Sequence, residues 1–152
     1  MRDILFRGKR CDNGEWVQGF YIRADHHWHN HGIHKNWIVC GASANGGWFA
    51  LHNRYAVKAE TVEQFTGLTD KNGKKIFEGD IVHVLGNQQV EDWKNVNYIG
   101  SVAFLDAGFC VIDGTVEVHG FRRYGLPRLD FDLEVIGNIH DNPDLLKCDA
   151  ED

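Results

Sequence analysis

Five of the nine histidines in this 152-residue chain fall within Asp25-His26-His27-Trp28-His29-Asn30-His31-Gly32-Ile33-His34. Extended backbone would place His27, His29 and His31 on one face, a spacing at which neutral imidazoles can surround zinc or a similar ion. Metal-binding imidazoles need a partner that fixes their tautomer, and only Asp25 is near in sequence. The segment therefore reads as a polar loop with solvated histidines. Metal chemistry on this loop ranks third among the functional readings.

A second group of chemically capable residues is Asp70, Asn72, Glu78 and Asp80; the last three adjoin a glycine, and Asp70 lies three residues from both Gly67 and Gly73. Glu78 and Asp80 are a carboxylate pair of the kind that in other settings holds a metal or a proton. Beside Gly79 they read instead as acceptors for backbone N–H groups in a turn. Gly67 to Lys75 (GLTDKNGKK) approaches a phosphate-binding loop. It has one residue too many between the glycines, and Lys75 stands where Ser or Thr would hold magnesium. Asp70-Lys71-Asn72-Gly73 approaches a calcium loop, but its glycine comes too early and the last carboxylate ligand is missing. Gly41-Ala42-Ser43-Ala44-Asn45 approaches a nucleophile elbow, yet it ends in Asn and Gly46-Gly47 follows as a turn. Phe121-Arg122-Arg123-Tyr124-Gly125-Leu126-Pro127-Arg128 mixes cations and rings as single-strand nucleic-acid surfaces do. As one small cluster it reads as a solvated edge. Cys11, Cys40, Cys110 and Cys148 form no C-x-x-C pair, which argues against a zinc knuckle. No catalytic, cofactor-binding or metal-binding residue is assigned.

These residues must be positioned by short strands. Seventeen Gly against two Pro suggest many tight turns. Asp3 to Lys9 and Trp16 to Ile22 read as a hairpin around Asp12-Asn13-Gly14, with Trp16, Gln18, Phe20 and Ile22 facing one way. Asn36 to Cys40, Trp48 to Leu51 and Tyr55 to Val57 are further short strands. Asp70-Lys71-Asn72-Gly73 is a tight turn. Ile81 to Leu85 is apolar enough to be buried on both faces. Gly86 to Asn97 is a polar loop anchored by Trp93. Ile99 to Leu105, Phe109 to Ile112, Thr115 to Val118 and Leu133 to Ile136 complete the strands. Asn142-Pro143-Asp144 has the order of a helix start.

The net charge of −6 argues against broad, non-specific nucleic-acid binding, which depends on phosphate neutralisation. Met1-Arg2-Asp3-Ile4 lacks the apolar core of a signal peptide, so the expected location is the cytoplasm.

The run Gln64-Phe65-Thr66-Gly67-Leu68-Thr69-Asp70-Lys71-Asn72-Gly73-Lys74-Lys75-Ile76-Phe77-Glu78-Gly79-Asp80-Ile81-Val82 closely resembles the signature of YopX-like proteins, a family found mostly in phage and prophage genomes. The opening Met1 to Arg7 and the closing Glu134 to Leu146 are also similar to that family. Phe77 and His140 stand where Tyr is common. The resemblance carries over no catalytic residue. It implies a β-rich fold with a compact SH3-like barrel in the C-terminal half, and the count of short strands agrees on an all-β barrel or meander.

The expected architecture is thus all-β with a short C-terminal helix. An N-terminal hairpin and meander occupies 1–57, the barrel with the signature 58–146, and a frayed tail 147–152. The first functional reading is a non-enzymatic phage or prophage accessory protein that binds another protein or itself. The second is a small nucleic-acid-binding module using Arg122, Arg123, Tyr124 and Arg128, helped by Lys9 and Arg10.

Overall fold

The computed structural model describes residues 3–23, 36–45, 48–86, 96–105, 107–113 and 131–147, with backbone alone at 42–45, 48–51, 113 and 131. The chain forms two compact units, Met1–Phe65 and Thr66–Asp152. Both are built from antiparallel strands.

In the first unit, β1 (Phe6–Lys9) and β2 (Trp16–Arg23) form the expected hairpin, with Lys9 opposite Trp16 and Phe6 opposite Gly19. Its turn is fixed locally: Asn13 accepts the Glu15 N–H at 3.0 Å, and Gly14 takes φ +74°. β3 (Asn36–Asn45) and β4 (Trp48–Ala56) follow, in the order β4-β3-β2-β1. Glu63 and Gln64, at the start of β5 (Glu63–Thr69), pair with Arg7 and Phe6. β3 and β4 are longer than their apolar runs. Ser43 sits in mid-strand opposite Ala50, so the elbow-like segment is ladder rather than a strand-to-helix turn. Backbone pairing with a long partner carries small residues into a strand that propensity alone would not extend.

This meander is curled. An isolated bridge joins Arg10 to Val57, and the Cys11 N–H reaches the Ala56 carbonyl at 2.9 Å, so the end of β1 meets the end of β4. Two glycines lie on the inner side of the curl. A Cβ at Gly8 would sit 3.1 Å from Val57, and one at Gly19 would press on the Val39 carbonyl. Ile38 and Val57 are buried there.

In the second unit, β6 (Lys75–Phe77) returns beside the remainder of β5. β7 (Asp80–Gly86), β8 (Asn97–Leu105), β9 (Gly108–Asp113) and β10 (Phe131–Asn138) form a sheet in the order β10-β7-β8-β9. Ile76, Val82, Val84, Val102, Phe109, Val111 and Val135 make its core. Ile81, Val82 and Val84 are all buried, as the apolar run predicted. A bulge at Ile136 separates the Val135–Val82 and Gly137–Ile81 pairs.

One expectation is not confirmed and another is corrected. Among the described residues this sheet is open, with β9 and β10 as its outer strands, and does not close into an SH3-like barrel. Antiparallel strands close only when the outer two exchange backbone hydrogen bonds, and no such pair is present among them. The C-terminal helix is a single 3-10 turn, Pro143–Leu146. Four residues cannot repay helix nucleation, and the Asn142 side chain turns back to accept the Asn138 N–H at 3.4 Å rather than capping.

Candidate functional site

Asp70 is buried, and its carboxylate gathers three backbone donors. Oδ1 accepts the N–H groups of Asn72 at 2.8 Å and Lys74 at 2.9 Å, and Oδ2 accepts that of Val135 at 3.1 Å. The first two bonds close the turn over Gly73, at φ +81°. The third ties the turn to β10. Burial alone would push the Asp70 carboxyl up. The Val135, Lys74 and Asn72 N–H groups, with the Lys74 charge, bring it below the usual carboxylate range.

Asp80, at 1% exposure, accepts the Phe77 N–H at 2.8 Å. Buried Gly79 donates to the Val102 carbonyl and accepts from Ile139, at φ +75°. Thr66 donates its hydroxyl to the Ile76 carbonyl at 2.8 Å. Lys71 and Glu134 form an exposed pair at 2.5 Å. Each buried polar group of the signature thus holds backbone, and half-buried Glu78 lies in the same turn.

A different set of side chains meets on the outer face of the meander. Residues opposite one another in an antiparallel pair share a face. The pairs Lys9–Trp16, Arg7–Gln18, Phe20–Val39, Ile22–Trp37, Trp37–Ala56 and Val39–Arg54 therefore lie on one side. Phe20 is 63% exposed and Ile22 37%. Cations lie over rings around them. Arg7 sits 4.7 Å and Lys9 5.4 Å from the centre of the Trp16 ring, and Arg54 is 5.8 Å from that of Trp37. Arg7 also forms a buried ion pair with Glu63 at 2.6 Å, which fixes it to the start of β5. Among the strand pairs named, the face carries Arg7, Lys9 and Arg54 against the single carboxylate of Glu63.

At the β4 end, where side chains of both faces meet, lies a cleft of about 330 Å³ lined by Trp37, Arg54 and Ala56 of this face, by Tyr55, which stands opposite inner-side Ile38, and by Arg10, Cys11 and Asp12. Arg10 lies 4.4 Å from the Tyr55 ring centre and is held by both Asp12 oxygens, at 2.9 and 2.5 Å. The hydrogen bond to Asp12 raises the guanidinium's already high pKa, and the same bond lowers that of the Asp12 carboxyl.

Of the residues singled out in the sequence, Lys9 and Arg10 reach this region. Arg54, Trp37 and Tyr55 were not singled out. Alternation along Trp16 to Ile22 already put Phe20 on one face, but nothing local indicated that Arg54 would join it. His27, His29 and His31, Trp93, and Arg122, Arg123, Tyr124 and Arg128 lie outside the described residues. Among the described residues, no three His, Cys, Asp or Glu side chains are grouped to hold a metal ion. No helix among them is long and apolar enough to cross a membrane.

Comparison with known proteins gives three findings. The profile of the family described as "YopX protein" matches residues 5–147. No curated protein matches the chain in sequence. The crystal structure of protein EF1440 from Enterococcus faecalis is similar at a TM-score of 0.56 and 22% identity, covering 97% of this chain and 100% of that one. At that identity the likeness concerns the fold. The family match spans nearly the whole chain, and the chain belongs to the YopX family.

Proposed function

We propose that this member of the YopX family is a non-enzymatic accessory protein of a phage or prophage, acting in the host cytoplasm by binding another protein. The observation that carries this reading is the outer face of β1–β4. Phe20 and Ile22 are exposed together, between rings and cations that surround them. Aromatic side chains beside arginine are the usual anchors of protein interfaces. Residues 1–57 would then supply the binding face, and 58–146 a scaffold whose signature carboxylates hold turns. The phage setting follows from the family's usual genomic context.

The test is capture of a partner from a lysate of the host bacterium, comparing wild type with Phe20→Ser/Ile22→Ser. Both positions are exposed, so the double variant should melt like wild type and lose the captured protein. Equal capture by the two proteins would overturn the reading, as would turnover of any substrate abolished by Asp80→Asn without loss of stability.

A further inference from the structure

The cleft beside this face has a charge arrangement that selects a ligand. Arg10 and Asp12 form a closed pair, with both carboxylate oxygens on the guanidinium. With Glu15 also 3.8 Å from the same guanidinium, this wall carries no net positive charge. Arg54 stands at the other side, exposed and stacked against Trp37, and makes no ion pair with another described residue. Among the described residues, the cleft therefore offers the Arg54 guanidinium as a positive charge without an ion-pair partner, beside Trp37, Tyr55 and Ala56. One guanidinium matches one carboxylate, which it can hold through two parallel hydrogen bonds. A run of phosphates would need several such cations.

The register fixes how far this site lies from the exposed apolar pair. Phe20, Val39 and Arg54 form one row across three strands, with Val39 covered at 2% exposure and Phe20 and Arg54 exposed on either side of it. Two strand spacings are about 10 Å, the length of roughly three residues of extended chain. We propose that Arg54 accepts a carboxylate from an extended segment of the protein partner, whose apolar side chain, two to four residues away, lies on Phe20 and Ile22. This rests on the protein-binding reading above and names the partner's chemistry: an acidic–apolar extended peptide.

The probe is a fluorescein-labelled peptide of repeated Leu-Ser-Asp-Ser units, which puts Leu and Asp on one side of an extended chain. Its control carries Asn for Asp. Fluorescence anisotropy should show the Asp peptide binding wild type at least tenfold more tightly than the Asn peptide. Arg54→Gln should remove that difference, and Arg54→Lys should retain part of it, since lysine keeps the charge without the planar fork. Thermal melts of both variants should match wild type. Equal affinity for the two peptides, or binding of neither, overturns the proposal. So does tighter binding of decathymidylate, which would assign the face to single-stranded nucleic acid, or occupation of the face by a second copy, seen as a dimer broken by Phe20→Ser. The two readings fail separately. If Phe20→Ser/Ile22→Ser loses the captured partner while Arg54→Gln retains it, the carboxylate site is wrong and the binding face stands. If both variants retain the partner, both readings fall.

Discussion

The two units carry equal numbers of basic residues and differ in where most of their charges lie; the buried Arg7–Glu63 pair is the exception in the first. Met1–Phe65 has eight Lys and Arg against six Asp and Glu, a net +2. Thr66–Asp152 has eight against sixteen, a net −8. In the first, Lys9, Arg10 and Arg54 lie over the rings of Trp16, Tyr55 and Trp37 and stay at least partly exposed. In the second, Asp70 and Asp80 are buried and hold backbone N–H groups. A charge bonded into a turn contributes to stability and is withdrawn from recognition. A partly exposed charge stacked on a half-buried ring contributes little to stability and remains available to a partner. Stability and recognition should thus separate by unit, and substitutions can test that separation.

The largest expected effect is Asp70→Ala, which leaves three backbone donors without their acceptor. It should destabilise the second unit by about 3 kcal/mol, read from denaturant unfolding. A loss below about 1 kcal/mol would mean that the carboxylate does not hold the turn. The same group gives a pH dependence. Its folded pKa lies below its unfolded value, so its contribution is complete above the unfolded pKa of about 4 and is lost as pH falls through the folded one. The Ala variant should show a shallower loss of stability on acidification below about pH 4 than wild type.

Next is Gly19→Ala, whose Cβ would meet the Val39 carbonyl on the inner side of the curl. A loss of about 1–3 kcal/mol is expected, because backbone rather than a side-chain tip must yield. This is the exception that sharpens the comparison: the first unit is fragile inside its curl and tolerant on its outer face. Gly73→Val should cost about 1–2 kcal/mol through φ strain alone, since nothing lies within 4 Å of a Cβ there. An unchanged melting temperature would remove the strain argument. The smallest stability effect belongs to Lys71→Gln at the exposed pair with Glu134, which should leave the melting curve where it was. A clear shift would show that surface charge in the second unit carries more of the fold than the buried carboxylates suggest.

What the sequence determined by itself is local. Asn13-Gly14 and Asn72-Gly73 specified their turns, because positive φ and bonds from a side chain to backbone two to four residues on are decided within the turn. The apolar run Ile81 to Leu85 announced a buried strand. Alternation along Trp16 to Ile22 announced the exposed face of β2. What only the tertiary structure decided depends on residues far apart. The length of β3 and β4 came from their mutual ladder. The Asp70–Val135 bond spans 65 residues, and the Arg10–Val57 bridge spans most of the first unit. Neither Trp37 nor Arg54 carries a local sign of its role. They share a face with Phe20 because of strand register, and they line a cleft with Arg10 because the meander curls until its first and last strands meet. Register and curl arise from backbone pairing summed over whole strands, and no short window of sequence contains that sum.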